Sequence, residues 1–263
     1  TVVFNGAYWG QCDVIYTSLC LTALYMALQK KSARSMILFG MALSFKLQTV
    51  FFLPALLPLW LRKDIKLRHL APIPAAYMAM MIPAFWGGKS LHHALTVYTA
   101  QASTYNFMTV NGPSLYNFLP ASLDRGTLYT MFSGMAMALG MAMLAIVCLM
   151  VCLHREHVTR EGTLLTCLLV LGGVPFFLPK MHERYTFGAD VLALAIAAYN
   201  PKRVWLPLLF GLSSYICYTA GLPGDAIFDL KWATVFQGAA VALTAAALYR
   251  SLNEEKAEAA LAE

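Results

Sequence analysis

The chain is predicted to be all-α, a polytopic bundle of transmembrane helices. Three observations carry that reading. Hydrophobic residues make up 59% of the 263 and charged residues only 12%, with mean hydropathy +0.61. Soluble domains carry about 25% charged residues. Apolar runs close to the length that crosses a bilayer, about 20 residues, recur from end to end. Lys and Arg gather in the short segments between those runs.

The chain opens on a polar stretch, Trp9-Gly10-Gln11-Cys12-Asp13, that meets the first apolar run, 14–29. The next run, 36–61, holds Lys46 and Gln48, then Pro54 and Pro58, and basic clusters flank both its ends. One straight crossing would put those clusters on opposite sides. A hairpin of two short helices turning near Lys46 and Gln48 puts them on the same side. Broken backbone at membrane depth is tolerated only where protein or a watery cavity satisfies it. Runs 70–86, 127–153, 163–178, 188–200, 204–221 and 232–249 complete the expected spans, several of them short. Residues 87–126 form the one long loop. Within it Leu91, Leu95, Tyr98, Ala102 and Tyr105 recur at steps of four and three, the period of one helix face. His92, His93, Thr96 and Gln101 lie off that face. The pattern predicts an amphipathic helix at the interface, ended by Asn111-Gly112-Pro113. Residues 1–252 are read as a single transmembrane domain. The Ala/Glu-rich tail, 253–263, is expected to be a frayed helix or disordered, on the cytoplasmic side. Because a span's polar end is already formed at the start, the chain is expected to be the C-terminal portion of a longer protein.

With the hairpin in place, 13 of the 19 Lys and Arg fall in loops on one side, five on the other, and Lys46 within the membrane. The positive-inside rule assigns the basic side to the cytoplasm. The net charge of +6 therefore reflects topology, not a nucleic-acid partner. Cys12, Cys20, Cys148, Cys152, Cys167 and Cys217 form no CxxC pair and no zinc spacing with histidine, so they read as small core residues. No GxxxxGK(S/T) or GxGxxG motif occurs, which argues against cytoplasmic nucleotide chemistry.

The outward side collects the distinctive polar residues, in 1–13, the hairpin tip, 87–126, 179–187 and 222–231. The densest cluster is Pro179-Lys180-Met181-His182-Glu183-Arg184-Tyr185. Charge inside hydrocarbon costs about 2.5–3.5 kcal/mol per residue on insertion scales, so charge at the end of a span marks a candidate site. Arg and Lys bind anions. His182 and Glu183 offer proton transfer and hydrogen bonding, and Tyr185 and Trp9 offer stacking faces. The alternative is an ion-pair network bracing a cavity mouth, with Lys180 only a rim charge. Lys46 has little reach to snorkel; it either pairs a phosphate or holds a structural carboxylate. Asp13 caps the first helix, faces a substrate with Gln11, or does both. Asn106, Asn111 and Asn117 suit turn chemistry or sugar hydroxyls.

Trp9-Gly10-Gln11-x-Asp13 before a span and Pro179-Lys180-Met181-His182-Glu183-Arg184-Tyr185 between spans resemble the bacterial glycosyltransferases of the GT-C superfamily. The resemblance is strongest to relatives of the GPI-anchor mannosyltransferase that adds the second mannose. Phe45-Lys46-x-Gln48 followed by Leu53-Pro54 fits the same pattern. So does Tyr98-x-x-Gln101-x-x-x-Tyr105-x-x-Met108-Thr109-x-Asn111. The resemblance implies a GT-C-type bundle in the cell membrane, with its active site on the extracytoplasmic face. It implies transfer of a hexose such as mannose from a polyprenyl-phosphate-linked donor to a glycan, lipid or protein acceptor. No cofactor is expected beyond the donor, which is a substrate. With no DxD pair and no His/carboxylate ligand set, no metal is expected. The expected substrate- and phosphate-binding residues are Gln11, Asp13, Lys46, Gln48, Lys180, His182, Glu183, Arg184 and Tyr185. The resemblance also implies an essential acidic residue in the first outer loop, so the catalytic base is expected upstream of Thr1. Asp225 and Asp229 match that acidic residue neither in spacing nor in position.

Two other readings stay open. A broken helix with an intramembrane lysine is also a transporter's device, which allows a flippase of lipid-linked saccharide, though no internal repeat is evident. A long outer loop also allows a polysaccharide polymerase or ligase.

Overall fold

The computed structural model describes residues 1–102, 104–120, 122–222 and 227–261, with backbone alone for 102 and 254–261. The chain is helical almost throughout. A short π-helical turn, Phe4–Tyr8, leads into α1 (Asp13–Leu28), which pairs with α2 (Ser32–Phe45). Ala23 and Ala27 on α1 are buried, whereas Gly40 on α2 faces the other way, where an added Cβ would lie 2.3 Å from the Ile73 carbonyl oxygen. The Ser35 hydroxyl donates across to the Ala23 carbonyl at 2.8 Å.

α2 stops where Lys46 turns extended, at φ −158° and ψ 136°. A 3-10 helix, Leu47–Ala55, and α3 (Leu56–Leu61) follow. The Lys66 amide then donates to Ser32 Oγ at 3.2 Å, at the start of α2. The chain has come back to the end it left, so the expected hairpin with its tip at Lys46 is the observed path. Both sides of this hairpin are closed by the same device. Lys30 and Lys63 adopt left-handed φ values of 60° and 61°, one residue beyond the C-caps of α1 and α3. Lys31 and Asp64 then donate back to Met26 and Leu59, at 2.8 and 2.9 Å. That pattern satisfies orphan carbonyls at a helix C-terminus, and lysine there also complements the helix dipole.

The straight span expected over 70–86 is not found. Pro72 opens α4 (Pro72–Met80) and Pro83 lies in the first turn of α5 (Ile82–Trp86). A proline inside a helix removes a hydrogen bond and clashes with the carbonyl four residues back, so one continuous helix cannot form. A larger bend, of 106°, follows Trp86, between the stretch Leu67–Trp86 and α6 (Leu91–Ala102). A helix is present where the interfacial one is expected. It ends before Tyr105, and Leu91 and Leu95 are exposed while Ala94 is buried. Tyr77 donates to the Ala94 carbonyl and Tyr98 to that of Leu43, which turns the Ala94/Tyr98 side inward.

Among the described residues, four helices are long and apolar enough to cross a membrane, or five if the bent pair is one span. They are α7 (Arg125–Leu153), α8 (Arg160–Phe177), α10 (Trp205–Gly221) with the 3-10 turn before it, and α11 (Leu230–Leu261), apolar through Asn253. The shorter α9 (Phe187–Tyr199) lies between α8 and α10 in sequence. The Asp124 carboxylate caps α7 by accepting from the Gly126 and Thr127 amides at 2.9 and 3.0 Å. The Thr127 hydroxyl, together with those amide bonds, holds the Asp124 carboxyl below its usual range. α8 is the central helix, buried along most of its length against α7, α9, α11 and the 3-10 segment. α7 is the opposite, with most of its Met- and Leu-rich surface exposed. The tail, expected frayed or disordered, continues α11 as helix to Leu261. Cys20, Cys167 and Cys217 are core residues as expected, whereas Cys12 and Cys152 are exposed.

The basic loops are tied to one another at one end of the bundle. Arg62 bonds Asp64 and the Val158 carbonyl, Arg203 bonds Glu161, and Thr159 meets Ser251. Residues 1–13, 46–48, 105–118 and 180–187 meet at the other end.

Candidate functional site

The site is built where four separate segments converge. Residues 180–187 cross the end of the bundle between α8 and α9. They are held by a two-stranded parallel sheet that the all-helical expectation did not include: β1 (Thr109–Val110) pairs with β2 (Met181–His182). Amides of Lys180 and Glu183 donate to carbonyls of the loop at Phe107, Met108 and Val110, at 3.1 to 3.2 Å. Two non-glycine residues, Asn111 and Lys180, take left-handed φ values of 55° and 65° to make these turns. Gly112 sits so close that an added Cβ would lie 2.7 Å from the Met181 carbonyl oxygen. Asn117 fixes the same loop, donating to the Gly112 carbonyl and to Thr234. Of the two readings of Asn117, the turn role is the observed one.

Within this frame, Asp13 is fully buried and accepts from Lys46 and, at 3.3 Å, from Asn5. It does not cap α1: its carboxylate bonds side chains, and no side-chain cap is present there. Lys46 does not snorkel. Its ammonium pairs with Asp13 and stands 5.7 Å above the Tyr16 ring and 5.8 Å above that of Tyr185. Tyr185 meets the buried Gln48 and lies 5.1 Å from the His182 ring. His182 Nδ1 is 3.8 Å from Glu183 Oε2, and Tyr105 presses an edge on His182 at 5.0 Å. Glu183 is only 5% exposed, and its side chain packs on Gly221, where an added Cβ would lie 3.1 Å from Glu183 Cγ.

Arg184 differs from Lys46. It donates to the neutral Gln11 amide oxygen at 2.9 Å and stacks 5.7 Å over Trp9. Its Nε is buried with no hydrogen-bond partner among the described residues. The Asp13 carboxylate is taken by Lys46, and that of Glu183 lies against His182. A half-buried guanidinium whose Nε is buried and unmet favours an anion, and its planar fork fits two oxygens of a phosphate.

Eight of the nine expected residues thus share one end: Gln11, Asp13, Lys46, Gln48, His182, Glu183, Arg184 and Tyr185. Lys180 stands apart, its ammonium 5.0 Å over the Tyr129 ring of α7. Asp229 is exposed and bonds the Lys231 amide at 2.9 Å, and Asp225 lies outside the described residues. Sequence reasoning missed Asn5, the fully buried second partner of Asp13, and Tyr16. Only their spacing from Asp13, eight residues before and three after, could have pointed to them. Among the described residues, no group of three His, Cys, Asp or Glu is arranged to hold a metal ion.

Comparison with known proteins gave no match: no family model, no curated protein and no solved structure matches this chain.

Proposed function

We propose that the chain is part of a membrane glycosyltransferase of the GT-C type, moving a hexose from a polyprenyl-phosphate donor to an acceptor outside the cytoplasm. The observation that carries this reading is Arg184, a half-buried cation with a buried, unmatched Nε and no carboxylate partner among the described residues. It fits a departing lipid phosphate, whose developing charge a preorganised donor stabilises. Lys46, already paired with Asp13, adds a second and weaker positive field. Trp9 and Tyr185 offer faces to a sugar ring, and His182 and Glu183 can orient its hydroxyls. No residue described here is given the role of catalytic base. The basic end then faces the cytoplasm, opposite the site.

The test uses the full-length protein in proteoliposomes with a polyprenyl-phosphate hexose. Release of lipid phosphate together with a new glycosidic bond supports the reading. Saccharide crossing the bilayer with no bond formed would instead identify a flippase. A polymeric product would identify a polymerase.

A further inference from the structure

Charge is not spread evenly over the basic end of the bundle. Segments 30–35 and 62–68 hold seven Lys and Arg and a single acid, Asp64. Asp64 is buried and taken by Arg62, whose guanidinium also donates to the Val158 carbonyl. Lys30, Lys31, Arg34, Lys63, Lys66 and Arg68 remain. All six are exposed, and none pairs with a carboxylate among the described residues. The Lys66 amide bond to Ser32 and the packing of α2 on the 3-10 turn Leu67–Leu70 join the two segments into one surface.

Elsewhere at the same end, cations have acids beside them. Arg203 bonds Glu161 at 2.8 Å, Arg155 lies 3.8 Å from Glu156, and Glu254 and Glu255 follow Arg250 in sequence. The positive-inside rule counts lysine and arginine and gives acids little weight. It accounts for cations in every loop here, but not for the want of acids around these six.

Apolar side chains frame the patch. Tyr25 and Trp60 are exposed, and each lies about one turn before a lysine at a helix end. The Gln29 and Lys63 amides donate to their carbonyls at 3.0 and 2.9 Å. Leu67 is exposed between Lys66 and Arg68. Tyrosine and tryptophan settle at head-group level in a bilayer, so cations one turn beyond them stand at the depth of lipid phosphates. A soluble polyanion would neutralise the cations but leave Trp60 and Leu67 in water.

We propose that this patch binds anionic phospholipid head groups of the leaflet at the basic end, in preference to zwitterionic ones. A cluster of about four to eight cations beside a span attracts such lipids. The binding requires no transfer chemistry and stands or falls separately from it.

The test is photo-cross-linking of the full-length protein in phosphatidylcholine nanodiscs. Trace phosphatidylglycerol and trace phosphatidylcholine, each with a diazirine near the glycerol end of one acyl chain, are compared. Phosphatidylglycerol is expected to label peptides holding Tyr25 and Trp60 about tenfold more strongly, the worth of one to two lysines at a charged surface. Lys31→Gln/Lys66→Gln should remove most of that preference. Lys202→Gln/Arg250→Gln takes the same charge from the same end, outside the patch, and should leave the preference within about twofold of wild type. All four side chains are exposed, so both variants should keep the wild-type unfolding temperature. Equal labelling by the two lipids, a preference untouched by Lys31→Gln/Lys66→Gln, or an equal loss in Lys202→Gln/Arg250→Gln overturns the proposal.

Discussion

Lys46 and Asp13 show how a residue's neighbours decide its role. Each is expensive to bury alone, and the pair is weak evidence for stability until one partner is removed. Asp13 is fully buried and Lys46 nearly so, so Lys46→Met should destabilise the protein by about 3–5 kcal/mol by orphaning the carboxylate. The double variant Asp13→Leu/Lys46→Met removes both charges and should recover most of that loss in a denaturant or thermal titration. Failure of the double variant to recover would mean the pair holds more than itself. The sequence had already separated the two readings of Lys46, phosphate or carboxylate. It could not choose between them, because the partner lies 33 positions away and contact is a property of the fold.

At the scale of elements, the strap formed by β1 and β2 decides whether the site is assembled. His182 and Glu183 are held by backbone bonds from residues 107–112. Gly112→Ala would force its Cβ to within 2.7 Å of the Met181 carbonyl oxygen. Such overpacking costs typically about 1–3 kcal/mol. The expected result is a modest fall in unfolding temperature with faster amide exchange at Lys180 and Glu183; unchanged exchange at those amides would show that the strap does not hold the motif. The hairpin break at Lys46 was legible because charge, amide and prolines interrupt one apolar run there. The interruption of 70–86 at Met81 was equally written in Pro83, which follows it, but hydropathy alone hid it. The two-residue strands gave no signal, since a pairing that short has no alternation to read. The end of α6 at Ala102 was not legible, because the apolar period carries on to Tyr105 without a breaking residue.

For the whole molecule, apolar runs and charge counting made the membrane class and the two-ended arrangement legible. The basic loops at one end and the polar segments at the other are joined by contacts between residues far apart in sequence. What the pattern could not supply was which cation is left unmatched at the polar end. The most direct measurement compares binding of a polyprenyl phosphate and of the uncharged polyprenol to the protein in nanodiscs, for wild type and Arg184→Gln. Wild type should prefer the phosphate, and Arg184→Gln should lose about tenfold or more of that preference, the equivalent of one charge-assisted hydrogen bond. Equal affinity of wild type for the phosphate and the alcohol, or a preference untouched by Arg184→Gln, would contradict the assignment of this end as a lipid-phosphate site.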